Sequence, residues 1–251
     1  MITLYQYELS PFCDKVRRVL RAKGVPFQVQ EITILDTLRG RPKALSPAAK
    51  LPVLDLEGER IADSTDICWL LEARFPEPRL VPADPRDQAL MHFFEDWADE
   101  SLYFYEMHLR FTLPHNAERW VPVAAAHDNN LIKRIAATAM PRAMLRTTRA
   151  QGTGRKPVTT IKRDLDRHFH MLNQWLEDRD WLVGDSLSLA DISVFSQLYC
   201  LAGTSEGSDL LRGYENVRAW MRDVDEATSG PAGEGDATVV RDRAEADGAG
   251  A

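Results

Sequence analysis

Ser10-Pro11-Phe12-Cys13-Asp14-Lys15-Val16-Arg17 decides how the first third of this chain is read. Serine directly before proline marks a helix start: the hydroxyl caps an orphan N–H, and proline fits the first helical position because its missing donor costs nothing there. Val16, Val19 and Leu20 continue as an apolar stripe, and Gly24 with Pro26 just beyond supplies the stop. On either side of this helix, Ile2 with Leu4 and Phe27 with Val29 alternate as short strands. Further on, residues 36–50 read as an irregular connection interrupted by Pro42 and Pro47. Pro52-Val53-Leu54-Asp55-Leu56 turns at Glu57-Gly58 into Arg60-Ile61, a hairpin signal. A last helix starts at Asp63-Ser64 and carries Ile67, Leu70, Leu71 and Phe75. The order β-α-β then β-β-α defines a small α/β unit over residues 1–77.

Four prolines between 76 and 85 mark a linker, taken here as residues 78–85. Residues 86–227 are helical in pattern throughout. One long helix is predicted over 86–113, and Ile161, Leu165, Phe169, Leu172 and Leu176 keep an i, i+4 stripe in another. Ser188 and Asp191 have the spacing of a capping box, a folding device. Residues 228–251 are dominated by Gly, Ala and acids with no aromatic residue, and are expected to form a disordered tail.

The 251 residues carry 31 Lys+Arg against 38 Asp+Glu, a net charge of −7. That balance argues against nucleic acid as a partner, because a DNA-coating surface must be basic. No apolar run is long enough to span a bilayer and no signal peptide is evident, so no membrane partner and a cytoplasmic location are expected. Cys13, Cys68 and Cys200 are three and widely spaced, which does not describe a disulfide framework. His168 and His170 stand two apart on a helix and face different ways, so no metal site is expected. Gly152-Thr153-Gly154-Arg155-Lys156 lacks the spacing of a phosphate loop. The stretch from Lys133 to Arg163 holds nine Lys/Arg and no acid. A solvated basic face is its commonest explanation; steering of an anion is the functional one. Arg142, Arg146 and Arg149, at helical spacing, are expected beside a substrate cleft or a partner subunit.

The first turn of the opening helix is where chemistry is expected. Its free N–H groups and the helix dipole favour negative charge, so a thiolate on the protein or on a ligand would be stabilised there. Ser10 and Cys13 are the two candidates. Read alone, the tetrapeptide is equally a plain cap followed by a buried cysteine.

Taken together, Ser10-Pro11-Phe12-Cys13-Asp14-Lys15-Val16-Arg17, Leu51-Pro52-Val53-Leu54, Asp63-Ser64 and Gly184-Asp185-Ser186-Leu187-Ser188-Leu189-Ala190-Asp191 resemble the glutathione transferase family over about residues 1–227. The resemblance implies a thioredoxin-like N-terminal domain followed by an all-helical domain, assembled as a homodimer. It implies glutathione as co-substrate and a small electrophilic, partly apolar second substrate. Ser10 matches the hydroxyl of the serine-type classes, which donates to the bound thiolate. Leu51 would offer its backbone beside a cis Pro52, Asp63 and Ser64 would hold the γ-glutamyl end, and Lys50 with Arg39 would meet the glycine carboxylate. Ala49 departs from the glycine usual there, so a different backbone course is expected. In cysteine-type relatives the reactive thiol occupies the first position of the tetrapeptide, here Ser10; Cys13 takes the more buried fourth. A thiol–disulfide enzyme using Cys13 and a non-catalytic binding module are the alternatives. The aromatic-rich stretch 93–111 would wall the substrate pocket, with Trp97, Phe104, His108 and Phe111 on one face and Tyr103 or Tyr105 within reach by their hydroxyls.

Overall fold

A computed structural model describes residues 1–230. The apolar alternation near the N-terminus becomes strand β1 (Ile2–Gln6), with Ile2, Leu4 and Gln6 turned inward. Helix α1 (Pro11–Ala22) follows, and then β2 (Gln28–Glu31) runs parallel to β1 with Leu4 opposite Val29. β3 (Val53–Leu56) and β4 (Glu59–Ala62) form the expected hairpin, whose turn residues Glu57 and Gly58 both take positive φ. The sheet order is β2-β1-β3-β4, with β3 antiparallel to both of its neighbours. α4 (Ser64–Arg74) packs with α1 against the sheet through Val16, Val19, Leu20, Ile67 and Leu71, all fully buried.

The connection after β2 is more ordered than its prolines imply. It contains α2 (Ile34–Leu38) and α3 (Arg41–Leu45). Thr33 and Asp36 form a capping box that starts α2, and Gly40 at φ 79 makes the corner before α3.

The C-terminal part is all helical: α5 (Pro85–Trp97), α6 (Tyr103–Thr112), α7 (Pro114–Ala124), α8 (Asn130–Gln151), α9 (Val158–Trp175), α10 (Leu189–Ala202), α11 (Ser205–Leu211) and α12 (Glu215–Ser229). The long helix predicted over 86–113 is therefore two helices. They are joined by a π-helical segment, Ala98–Leu102, whose wider turn rotates α6 relative to α5. α10 is buried on nearly every face and forms the centre of this part. Asp191 holds its start: one carboxylate oxygen accepts from the Ser188 N–H and hydroxyl, the other from Leu182 N–H and Trp220 Nε1–H.

Helix α1 locks the two parts together. Asp14 accepts from Arg17, Arg18 and the Ser196 hydroxyl, while the Arg18 guanidinium lies 4.2 Å from the Phe195 ring centre and reaches Asp225 and Thr228. Thr228 is fully buried and helical, so α12 runs two residues past the boundary expected from composition. The rest of the predicted tail, residues 231–251, lies outside the described residues.

Candidate active site

Two cavities of about 510 Å³ each meet at Leu51, which lines both. The first is polar. It is walled by Phe12, Lys50, Leu51, Pro52, Asp63, Ser64 and Thr65 from the α/β part, and by His92, Phe93, Glu95, Asp96, Asp99 and Glu100 from the helical part. Local structure explains the first group. The Leu51–Pro52 peptide is cis, and Asp63 at φ 80 caps α4 by accepting from Thr65 N–H at 2.9 Å. Ser64, buried, is the first residue of that helix, where free N–H groups suit a carboxylate.

The acidic wall is balanced from behind by Lys15, which is almost completely buried. Its ammonium lies 2.6 Å from Glu95 Oε1, 3.0 Å from Asp99 Oδ2 and 3.2 Å from Thr65 Oγ1. Burial works against that charge, but Asp99 and Glu95 outweigh it and hold Lys15 protonated. Burial also raises the Asp99 carboxyl. Its second oxygen, Oδ1, is buried and has no hydrogen-bond partner among the described residues. Asp99 and Glu100 belong to the π-helical segment, whose wide turn gives this wall its placement.

The second cavity is mostly apolar. Its walls include Leu9, Pro11, Ile34, Pro42 and Leu51 on one side and Phe111, Ile132, Ile135, Ala136, Ala139, Met140, Ala143 and Met144 on the other. Ser10 lines it beside Leu51. Ser10 is the N-cap of α1; its oxygen accepts from Cys13 N–H at a long 3.4 Å, which leaves the hydroxyl proton available to donate. Cross-links hold this cavity in shape. Tyr7 donates to Ala124 O at 2.8 Å, and Asp128 accepts from Ile34 and Leu35 N–H at the start of α2.

Most of the positions singled out by sequence meet here. Lys50, Leu51, Pro52, Asp63 and Ser64 share the polar cavity, while Ser10 and Phe111 line the apolar one. Arg39 does not join them: it ends α2 as an exposed cap and lines neither cavity. Ala49 lies on the rim of the apolar cavity with φ 52, so the backbone keeps a conformation that glycine favours although an alanine occupies it.

Cys13 lines neither cavity. It is wholly buried, accepts from Tyr7 N–H at 3.4 Å, and burial pushes its thiol up to about 11. A thiol so placed is protonated at neutral pH and out of a ligand's reach.

The aromatic face predicted for substrate is corrected in three of its four members. Trp97 lines neither cavity; it packs on His168 and Phe94 in an apolar groove that shares Phe93 with the polar cavity. His108 is buried against α8, bonded to Thr148 Oγ1 at 3.2 Å; burial and Arg149 both lower its pKa. Phe104 packs on Tyr103 and lines neither of the two cavities, whereas Tyr103 does line the apolar one. Tyr105 points away, toward Asp164. α8 flanks the cavity through its alanines and methionines, but Arg142, Arg146 and Arg149 are exposed and line neither cavity.

Sequence reasoning missed Tyr7, Asp99, Glu106 and Arg110, all cavity residues. Nothing in local spacing marks Asp99; its position depends on the π-helical turn.

A family profile described as "Glutathione S-transferase, N-terminal domain" matches residues 4–79, and "Glutathione S-transferase, C-terminal domain" matches residues 135–226. The chain belongs to the glutathione S-transferase family. The isoprene-epoxide–glutathione S-transferase of Rhodococcus sp. (strain AD45) is 24% identical over 214 residues, covering 80% of this chain and 87% of that protein. Rat (Rattus norvegicus) maleylacetoacetate isomerase is 30% identical over 97 residues, 37% of this chain and 45% of that one. Among solved structures, beta-etherase LigF from Sphingobium sp. strain SYK-6 superposes with a TM-score of 0.69 at 23% identity, covering 89% of this chain and 94% of its own. The superposition with LigF extends over both the α/β and the helical part of the chain.

Proposed function

We propose that this glutathione S-transferase family member binds glutathione in the polar cavity and conjugates its sulfur to a small, largely apolar electrophile in the neighbouring one. The observation that carries this reading is Leu51: one residue forms the common wall between a cavity lined largely by charged and polar residues and an apolar one. Glutathione has two carboxylates and one ammonium group. Ser64 at the α4 N-terminus and Lys50 offer partners to the carboxylates, and Asp63 offers one to the ammonium. The cysteinyl unit would lie along Leu51, which points its sulfur at Ser10. Donation from the Ser10 hydroxyl and the dipole of α1 would lower the thiol pKa, and the shared wall would hold both reactants close.

The buried, protonated Cys13 argues against thiol–disulfide exchange as the activity. Among the described residues, no helix is long and apolar enough to cross a membrane, and no cluster of His, Cys, Asp or Glu could hold a metal. The homodimer belongs to the same reading. Its support is the apolar groove around Trp97, where Phe93 is 73% exposed and Met171 64%, a patch suited to a subunit contact.

Calorimetry with millimolar glutathione tests the site. Heat that Asp63→Asn reduces supports it; no heat at all, or heat indifferent to Asp63, overturns it.

A further inference from the structure

Apart from Met1, the large apolar side chains exposed among the described residues gather in two places. Phe93 and Met171 belong to the groove around Trp97. The others are Leu38 on α2, and Leu131 and Ile135 on α8, exposed by 68%, 65% and 46%. Leu38 and Ile135 also line the apolar cavity, so they stand at its mouth, where α2 and α8 pack together. Leu131 lies one turn before Ile135. Single apolar residues scattered on a surface are ordinary, whereas a gathered set marks a contact.

The exposed face of α8 changes character along its length. Leu131, Ile135, Ala139, Arg142, Arg146 and Arg149 follow at steps of four, four, three, four and three, which keeps them on one side of the helix. All six are exposed. The first half of this stripe is aliphatic and the second half carries guanidinium groups. Residues 133–163 contain no acid to pair with them, and no ion pair engages these three arginines among the described residues. Across the mouth, Arg39 and Lys43 are exposed as well, and the one acid of α2, Asp36, is taken up by Arg41 and Thr33. The mouth of the apolar cavity is therefore rimmed by aliphatic tips and unpaired positive charge, in a chain that is acidic as a whole.

We propose that this face docks on the surface of a lipid bilayer rich in anionic headgroups. Charge complementarity selects that partner: guanidinium groups pair with lipid phosphates in a bidentate manner, and aliphatic tips set among Lys and Arg reach the boundary between headgroups and acyl chains. A protein interface would be enriched in aromatic residues, and the six positions of the stripe hold none. A nucleic acid backbone would use the arginines but not the aliphatic half. The contact is peripheral and needs no spanning helix. With the face seated, the cavity mouth opens against lipid, and an apolar molecule can enter it without crossing water. That consequence rests on the proposed function; the docking itself does not.

Co-sedimentation of the full chain with vesicles tests the docking. It uses neither glutathione nor an electrophile, so its failure is distinct from failure of the proposed function. Mixed phosphatidylcholine–phosphatidylserine vesicles should pellet the protein at low salt, and pure phosphatidylcholine vesicles should not. Each basic residue near an anionic surface contributes about fivefold, so Arg142→Gln, Arg146→Gln and Arg149→Gln together should weaken the partition ~10²-fold. Raising the salt to about 0.5 M should weaken the wild type comparably. Leu131→Gln, at a position that lines neither cavity, should weaken it about tenfold. Arg218→Gln with Arg222→Gln, on α12, which packs against α1, α9 and α10, should change it no more than about twofold. No pelleting with the mixed vesicles, equal pelleting with neutral ones, equal losses in the α8 and α12 variants, or indifference to Leu131→Gln would each overturn the proposal. So would duplex DNA bound through the three arginines while vesicles are left in solution, or a dimer that Leu131→Gln dissociates in place of vesicle binding. If the triple variant does not fold, the salt series and Leu131→Gln decide.

Discussion

Replacing Ser10 by alanine separates chemistry from folding at this site, because the structure assigns very different sizes to the two losses. The hydroxyl accepts from Cys13 N–H at 3.4 Å, the long end of the range, and Pro11 at the next position has no N–H to satisfy. Loss of the cap should therefore sit near the low end of N-cap effects, about 0.5 kcal/mol. For a domain of this size that lowers Tm by about 1–2 °C. Removing one preorganised donor from a developing or bound anion costs ~10²-fold in rate, about 2.7 kcal/mol. Three measurements are needed: ultraviolet titration of the bound glutathione thiolate, kcat/KM with chlorodinitrobenzene, and a thermal melt. Ser10→Ala should raise the bound thiol pKa and slow conjugation ~10²-fold while the melt barely moves, and Ser10→Thr should restore part of the rate. Cys13→Ser, which keeps an acceptor for Tyr7 N–H, should be close to silent. An unchanged thiol pKa in Ser10→Ala would refute the donor role, and loss of activity in Cys13→Ser would refute the burial argument.

Three further outcomes follow from other parts of the structure. Asp63→Asn keeps the α4 cap but removes the charge, and should weaken glutathione at least about tenfold by calorimetry, the value of one charge-assisted bond. Asp14 is buried, which alone would raise its pKa, but Arg18 and Arg17 pull it down from 3.8 to about 2. A carboxyl depressed on folding stabilises above its unfolded pKa and loses that contribution as pH falls through the folded one. About 2 kcal/mol should therefore disappear between roughly pH 4 and pH 2 in urea unfolding, and Asp14→Asn should flatten that limb. Asp191→Ala leaves four donors unsatisfied inside the helical core and should cost about 4 kcal/mol or more, read as a lost or much earlier unfolding transition.

Where side chains repeat with the period of their element, the sequence can be read directly. Ile2 and Leu4, the stripe of α1, the Glu57-Gly58 turn and the Ser188–Asp191 start of α10 all stand as their spacing predicts. The polar cavity was legible for a related reason: Lys50 to Pro52 and Asp63-Ser64 are short contiguous motifs held by their own backbone. The two helices after β2 were hidden by their length, since five residues are too few to show a period, and only the Thr33–Asp36 box announces them. The substrate face failed because a 3.6-residue period was carried from Trp97 to Phe111 across residues 98–102. The π-helical turn there adds residues without adding a turn, so Trp97 ends on the outer groove while Tyr103, Met107 and Phe111 face the cavity.

The Glu106–Arg110 pair was invisible for a deeper reason. A glutamate four residues before an arginine is the commonest signature of an exposed helix face, where such pairs contribute a few tenths of a kcal/mol. Here every residue of α6 from Tyr105 to Phe111 is buried, so no solvent face is left for a charged pair. α8 covers one flank, and α10 brings Cys200 against the other. Burying the pair without full hydrogen bonding costs stability and secures little in return, since an apolar pair of the same size would pack at least as well.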